Sequence, residues 1–357
     1  MLDTNRSFKL FIIGVVLIFA SLIPYYWGVH QVATSTVVRA ALDIGSGATK
    51  LRVSEIDLKN NKIVRTLVNQ QIAVPYQLSL SQSDDHRFDE EIMQEGIEAI
   101  QKLKKIAMDN QAEKIVGIAT ASFRKAQNGE AFVKRIFEET KVPVFIVDQE
   151  LEGELGFYAV EATIPVDEER MIVWDIGGGS LQFTALDKEG NIVVYRGHEA
   201  SIPFRQYVMQ NIQGRDVKVY DTPNPLTLED MSQAEKHARD LASRVDDVFK
   251  ERLKDEESDI YGVGSIFSLG IEPLVRKSTF TVKELTEAVR PLAGKTDEEL
   301  GGGDFADVQV TNALLVIGFM DELEIKEVTV VDVNAADGAF FIKRFWKPQE
   351  ALIEEAQ

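Results

Sequence analysis

The chain has no cysteine, which removes disulfides, thiol nucleophiles and cysteine-ligated metals and leaves both reducing and oxidising compartments open. Histidine is scarce. His30, His86, His198 and His237 lack the spacing of a metal site, so each reads as a loop or surface residue. Basic residues are in deficit, with 39 Lys and Arg against 58 Asp and Glu and a formal charge of −19. Such a chain has no long-range attraction for polyanions, and no binding of nucleic-acid duplexes is expected. An anionic substrate therefore needs local help from a few cations, from backbone N–H groups or from a divalent metal. Short-period repeats and low-complexity tracts are missing too.

Long apolar runs are confined to the start. Residues 10–23 are uncharged and mostly apolar, and with residues 24–29 the stretch reaches about 20 residues, enough for one membrane span. Arg6 and Lys9 precede it, and Tyr25, Tyr26 and Trp27 sit where an interfacial belt would lie. The expectation is a single-pass anchor in a bacterial inner membrane through residues 10–29, with the remainder outside the cytoplasm. The alternative is a signal cleaved near Val32-Ala33-Thr34-Ser35, leaving a secreted or periplasmic protein.

What is present suits two domains: 357 residues, 45% of them apolar. We divide the chain into an anchor or signal (1–35), a first lobe (36–164) and a second lobe (165–357), split at a polar break over residues 164–170. In the first lobe the pattern predicts a strand pair over 36–53 folded about a glycine turn. One or two strands follow over 55–72, then a loop over 74–88. From Asp89, a plausible N-cap, Ile92, Met93, Ile97, Ile100, Leu103 and Ala107 recur at helical spacing. Strands over 114–120 and 142–147 alternate with helices over 128–139 and 150–162. In the second lobe strand, glycine turn and strand return, and Thr227 opens a helix running to about Lys254. A strand, glycine turn and helix start occupy 260–269, and Thr281 opens another helix. A helix over 307–322, a strand over 328–333 and a solvated helical tail complete the chain. Alternating strands and helices mean an α/β sheet covered by helices.

Two stretches share one outline. Ala41-Leu42-Asp43-Ile44-Gly45-Ser46-Gly47 and Trp174-Asp175-Ile176-Gly177-Gly178-Gly179-Ser180 each run strand, Asp-Ile-Gly, small residues, then strand again. A hairpin that sets a carboxylate beside a loop of bare backbone N–H groups can hold a phosphate and a metal together. Two copies suggest two similar lobes facing a shared cleft. A third glycine turn stands at Gly262-Val263-Gly264-Ser265.

These residues resemble the actin, heat-shock chaperone and sugar-kinase superfamily and, within it, the exopolyphosphatase/guanosine pentaphosphate phosphatase (Ppx/GppA) family. The resemblance rests on both Asp-Ile-Gly turns and on Ala119-Thr120-Ala121-Ser122-Phe123-Arg124-Lys125-Ala126-Gln127-Asn128. It rests also on Glu150-Leu151-Glu152-Gly153-Glu154, Ser201-Ile202-Pro203, Gly262–Ser265 and Ala306-Asp307-Val308, which follow in the family's order. It implies an α/β fold of two ribonuclease H-like (actin-like) lobes with an interlobe cleft. It also implies Mg²⁺-dependent hydrolysis of a phosphoanhydride, in polyphosphate or in a guanosine penta- or tetraphosphate-type nucleotide. On this resemblance phosphate falls to Asp43, Gly45, Ser46, Gly47, Arg124, Gly177, Gly178, Gly179, Ser180, Gly264 and Ser265, and the metal to Asp43 and Asp175. Glu152 is the candidate base, with Glu150 second. A homodimer is compatible with the reading. The chain departs from the family at Gly47, usually Asn, and at Arg205, commonly Gly. Val333-Asn334-Ala335-Ala336-Asp337-Gly338 replaces a Gly-Leu-Arg-Glu-Gly-like segment, leaving Asp337 as the only acid there and no arginine. A catalytically weak phosphate or polyphosphate sensor and an ATP-binding, kinase-like protein stay open as alternatives.

Overall fold

The first hairpin follows directly from its sequence: β1 (Thr36–Ile44) and β2 (Ala48–Asp57) pair antiparallel, with Asp43 opposite Lys50 and Ile44 opposite Thr49. The computed structural model describes residues 36–347 apart from 199, 256 and 304. The membrane anchor or signal expected at residues 10–29 and the expected helical tail lie outside the described residues. No helix among the described residues is long and apolar enough to cross a membrane.

β3 (Lys62–Ala73) extends the hairpin on one side, and β4 (Lys114–Ala119) and β5 (Val144–Ile146) add parallel strands on the other. The order is β3-β2-β1-β4-β5. A second sheet repeats the plan. β6 (Met171–Ile176), β7 (Leu181–Leu186) and β8 (Ile192–Gly197) form an antiparallel meander, and β9 (Asp259–Val263) lies parallel beside β6. β10 (Thr279–Thr281) and β11 (Glu327–Val331) complete the order β10-β11-β9-β6-β7-β8. The stretch β8-β7-β6-β9-β11 matches the whole first sheet strand for strand. Central strand β6 is almost wholly buried and β1 is buried from Ala40 to Ile44, as a sheet covered by helices requires.

Five helices belong to the first half: α1 (Tyr76–Gln82), α2 (Glu90–Asp109), α3 (Ala121–Lys125), α4 (Gly129–Thr140) and α5 (Gln149–Thr163). The Asp89 carboxylate accepts from Ile92 N at 2.9 Å, capping α2 as its sequence suggests. In the second half α6 (Ser201–Tyr207), α7 (Leu228–Ala242), α8 (Asp247–Lys254), α9 (Glu272–Val275), α10 (Val282–Val289), α11 (Ala306–Glu322) and α12 (Ala335–Ala339) follow. Thr227 with Asp230 and Thr281 with Glu284 close full capping boxes. Helix α11 is apolar on nearly every side and runs through the centre of the second core.

Two expectations need correction. Residues 74–88 are not all loop, because α1 forms there with Tyr76 and Leu80, one turn apart, both buried. The Tyr76 ring packs against Phe88, Phe123 and Phe132, and this tertiary aromatic cluster, absent from any local pattern, holds the helix. The helix from Thr227 does not reach Lys254 unbroken. It stops at Ala242, Asp246 turns extended (ψ 143), and α8 restarts, which brings Val245, Phe249 and Leu253 all into the core.

Helices α5 and α12 join the two halves. A Cβ on Gly153 would stand 2.6 Å from Thr184 Oγ1 and 2.7 Å from Val194 Cγ1, so α5 lies directly on the second sheet. On its other side α12 crosses it. The chain then returns to the first sheet, where Phe340, Phe345 and Trp346 pack with Ala41, Val116 and Ile118, and the Arg39 guanidinium lies 4.3 Å from the Trp346 ring centre.

Candidate active site

The two glycine loops are built alike. Gly45 N donates to Ala48 O at 3.0 Å, and Gly177 N donates to Ser180 O at 2.9 Å. In each loop the carbonyls are then tied back by the chain at the start of the next short helix. Ser46 O accepts from Gln77 N (2.8 Å) and Gly47 O from Val74 N (3.1 Å), while Gly178 O accepts from Ile202 N (2.9 Å) and Gly177 O from Ser201 N (3.3 Å). In a trans peptide C=O and N–H point opposite ways. The N–H groups of Gly47, Gly178 and Gly179 therefore turn away from those backbone donors, the arrangement that cradles an anion.

Both loops line one cavity of about 760 Å³. Asp43, Gly45, Ser46, Gly47, Glu152, Asp175, Gly177, Gly178, Gly179, Ser180, Gly264 and Ser265 all reach it. The third turn earns its glycine: Gly264 has φ +85, and a Cβ there would stand 3.0 Å from Asp175 Oδ1.

The carboxylates are crowded. Glu152 is 7% exposed; its Oε2 lies 2.8 Å from Arg124 Nη1, and the Ser180 hydroxyl donates to Oε1 at 3.3 Å. Burial pushes the Glu152 carboxyl above its ordinary value, while Arg124 pulls it back and Asp43 adds to the rise. Asp175 is pushed up to about 8, chiefly by burial and then by the neighbouring charge of Glu152, with Lys50 opposing. Lys50 Nζ bonds Asp43 Oδ2 at 3.3 Å and lines the cavity. Lys50 is absent from the residues that the family resemblance marks, yet its place in the sequence carries a signal. Asp43 and Lys50 stand equally far from the centre of the glycine turn, so a tight hairpin must set them opposite each other.

Two expected residues stand apart from the cavity lining. Glu150, two residues before Glu152, is exposed on α5 and lies 3.8 Å from Arg196. Arg124 lies behind Glu152, where its Nη1 also donates to Val147 O at 2.8 Å. The departures from the family pattern have partners of their own. Arg205 is buried and pairs with Asp307 on α11, and it donates to Asp221 O at 3.2 Å. Asp337 caps α12 by accepting from Asn334 N and sits 3.2 Å from Arg52 Nε, an arginine of β2.

Among the described residues no group of three or more His, Cys, Asp or Glu forms a metal cage. Asp43 and Asp175 nevertheless fit a water-rich Mg²⁺, which takes one or two protein carboxylates and completes its shell with water and phosphate oxygens.

Residues 58–195 match the family model described as the Ppx/GppA phosphatase family. The chain is 30% identical to Exopolyphosphatase 1 of Mycobacterium bovis over 120 residues, 33% of this chain and 35% of that protein. It is 26% identical to the bifunctional 3-dehydroquinate synthase/phosphatase of Fusobacterium nucleatum over 157 residues, 43% of this chain and 24% of that protein. It thus spans about a quarter to a third of the curated relatives it matches. Among solved structures, an exopolyphosphatase from Cytophaga hutchinsonii superposes with TM-score 0.67 at 17% identity, over 86% of this chain and 97% of that one. The Ppx/GppA family member of Aquifex aeolicus superposes with TM-score 0.63 at 18% identity, over 90% and 99%. At such identities these neighbours speak for the fold: two actin-like α/β lobes around a cleft. Residues 58–195 thus carry a match to the Ppx/GppA phosphatase family model, and the fold around them is the one these solved neighbours share.

Proposed function

We propose that the chain hydrolyses a terminal phosphoanhydride bond, in polyphosphate or in a guanosine penta- or tetraphosphate-type nucleotide, with water as nucleophile and Glu152 as base. The observation that carries this reading is the placement of the Glu152 carboxylate, buried and held by Arg124 and Ser180, in the cavity that both glycine loops line. The loop N–H groups and Lys50 bind the terminal phosphoryl oxygens and stabilise the charge spread over them in the transition state. Glu152 orients a water and takes its proton as the water oxygen bonds to phosphorus. The bridging P–O bond breaks, its electron pair leaves on the departing phosphate, and the proton on Glu152 passes to solvent. A Mg²⁺ held at Asp43 and Asp175 supplies neutralisation of phosphate charge when bound.

The apolar stretch at residues 10–29 supports a tethered or exported enzyme. Outside the cytoplasm polyphosphate is the favoured substrate over a cytosolic nucleotide, and a C-terminal reporter fusion that signals from the cytoplasm would sink the export reading. The hydrolytic reading is tested on the full chain with long polyphosphate, tripolyphosphate, guanosine pentaphosphate, ATP and pyrophosphate, with and without Mg²⁺. Phosphate release at least about 100-fold above a Glu152→Gln control is expected. Release no faster than the control, with Mg²⁺-dependent binding intact, would replace the enzyme with a sensor. Phosphotransfer from ATP to a sugar would replace it with a kinase.

A further inference from the structure

We propose that Arg124 is a positioning residue that acts through Glu152, and not a phosphate ligand: its guanidinium holds the base in place from behind the cleft. The inference rests on the reading of Glu152 as the base. Three observations support it. Arg124 Nη1 stands 2.8 Å from Glu152 Oε2 and donates at 2.8 Å to Val147 O, so it is committed to the carboxylate and to the backbone that leads into α5. Thr120 and Glu152 line the cavity, whereas Arg124, whose guanidinium meets Glu152, does not. The next residue, Lys125, donates to Gly179 O at 3.1 Å, so the short helix α3 ties the base on one side and the second phosphate loop on the other.

The need for such a cation follows from the surroundings of Glu152. The charged groups facing it are Arg124 from α3 and Asp43 from β1; Asp175 on β6 feels the charge of Glu152 in turn, and Lys50 on β2 lies 3.3 Å from Asp43 Oδ2. Ser180 contributes one hydroxyl donor. Without Arg124 the carboxylate would keep a single neutral side-chain hydrogen bond, from Ser180, and would lose its aim. A phosphate ligand would behave differently: its loss would weaken binding first.

The test uses the full chain as Arg124→Gln and Arg124→Lys, with thermal melts to confirm folding, and measures tripolyphosphate binding by calorimetry alongside kcat and KM. For Arg124→Gln a fall in kcat of about 100-fold is expected, the size of a lost general base, with the tripolyphosphate Kd within about threefold of wild type. Arg124→Lys restores a positive charge but not the fork, and recovers about tenfold of the loss. A Kd weakened tenfold or more with kcat retained would overturn the inference, because that is the signature of a phosphate grip. A Lys variant that folds yet is as slow as the Gln variant would overturn the role given to the charge. If the wild type releases no phosphate, the hydrolytic reading fails by itself, and the binding comparison still decides whether Arg124 grips phosphate.

Discussion

Ser46 and Gly178 meet across the cleft: a Cβ on Gly178 would stand 2.7 Å from the Ser46 Cβ, and one on Gly179 would stand 2.9 Å from the Ser46 Oγ. The loops of the two lobes are in van der Waals contact, and only glycine in the second permits it. Gly178→Ala is therefore expected to push the loops apart and lower kcat/KM for the preferred substrate about tenfold or more, since small displacements of positioning groups are costly. Adding Ser46→Gly should recover part of the loss. Full activity in the single variant would show that the loops do not need this approach.

The crowding at Asp175 has a pH signature. Its carboxyl ordinarily titrates at 3.8 and stands at about 8 in the fold, so the unfolded chain loses that proton first as pH rises. Below pH 4 both states are protonated and the group contributes nothing; between about pH 4 and 8 stability falls. In EDTA, Asp175→Asn should melt about 3–5 °C above wild type at pH 8, with the gap closing by pH 4. A gap of equal size at both pH values would refute this. Mg²⁺ should narrow the gap at pH 8 by stabilising the wild type.

Arg52 ties the first lobe to the end of the second. Its Nη2 donates to Asp332 Oδ1 at 2.9 Å and to Asp332 O at 2.8 Å, while Nε lies 3.2 Å from the buried Asp337. Arg52→Met would leave Asp337 buried without its cation, at a cost of about 3–5 kcal/mol near pH 8. Burial pushes Asp337 up to about 6 despite Arg52, so at pH 5 the carboxyl is largely protonated and the cost should shrink. Urea midpoints of both proteins at the two pH values measure the difference. A cost that grows toward pH 5 would contradict the assignment.

Gly338 and Leu155 mark the closest crossing in the fold. A Cβ on Gly338 would lie 1.9 Å from the Leu155 carbonyl oxygen, backbone against backbone, with no flexible side chain to give way. Gly338→Ala should separate α12 from α5 and cost more than about 3 kcal/mol, seen as a large fall in melting temperature or in soluble yield. A near-wild-type melt would mean that the crossing relaxes easily.

Much of the cavity lining is legible in the sequence because its signals are local. Asp43, Gly45–Gly47, Asp175 and Gly177–Ser180 sit at strand ends beside short glycine turns, and a hairpin needs no distant partner to form. Glu152 at the start of a capped helix was legible for the same reason. Glu150, two residues earlier, shows the limit. A helix turns about 200° in two residues, and which face meets the second sheet was decided by Gly153 against Thr184 and Val194. The pairing of Arg124 with Glu152 joins residues 28 positions apart, beyond any pattern of spacing. Helix α1 was missed because two buried residues and a distant aromatic cluster carry it.

The sequence by itself determined the α/β alternation, both glycine hairpins with their carboxylates, and the capped helices. Each depends on contacts within a few residues, where propensity and hydrogen bonding act directly. Only the tertiary structure decided that the hairpins touch, that Glu152 rather than Glu150 enters the cleft, that Arg124 pairs with Glu152, and that residues 340–346 return to the first sheet. Those choices depend on surfaces that exist only once both sheets have formed and packed, so no local stretch of sequence encodes them.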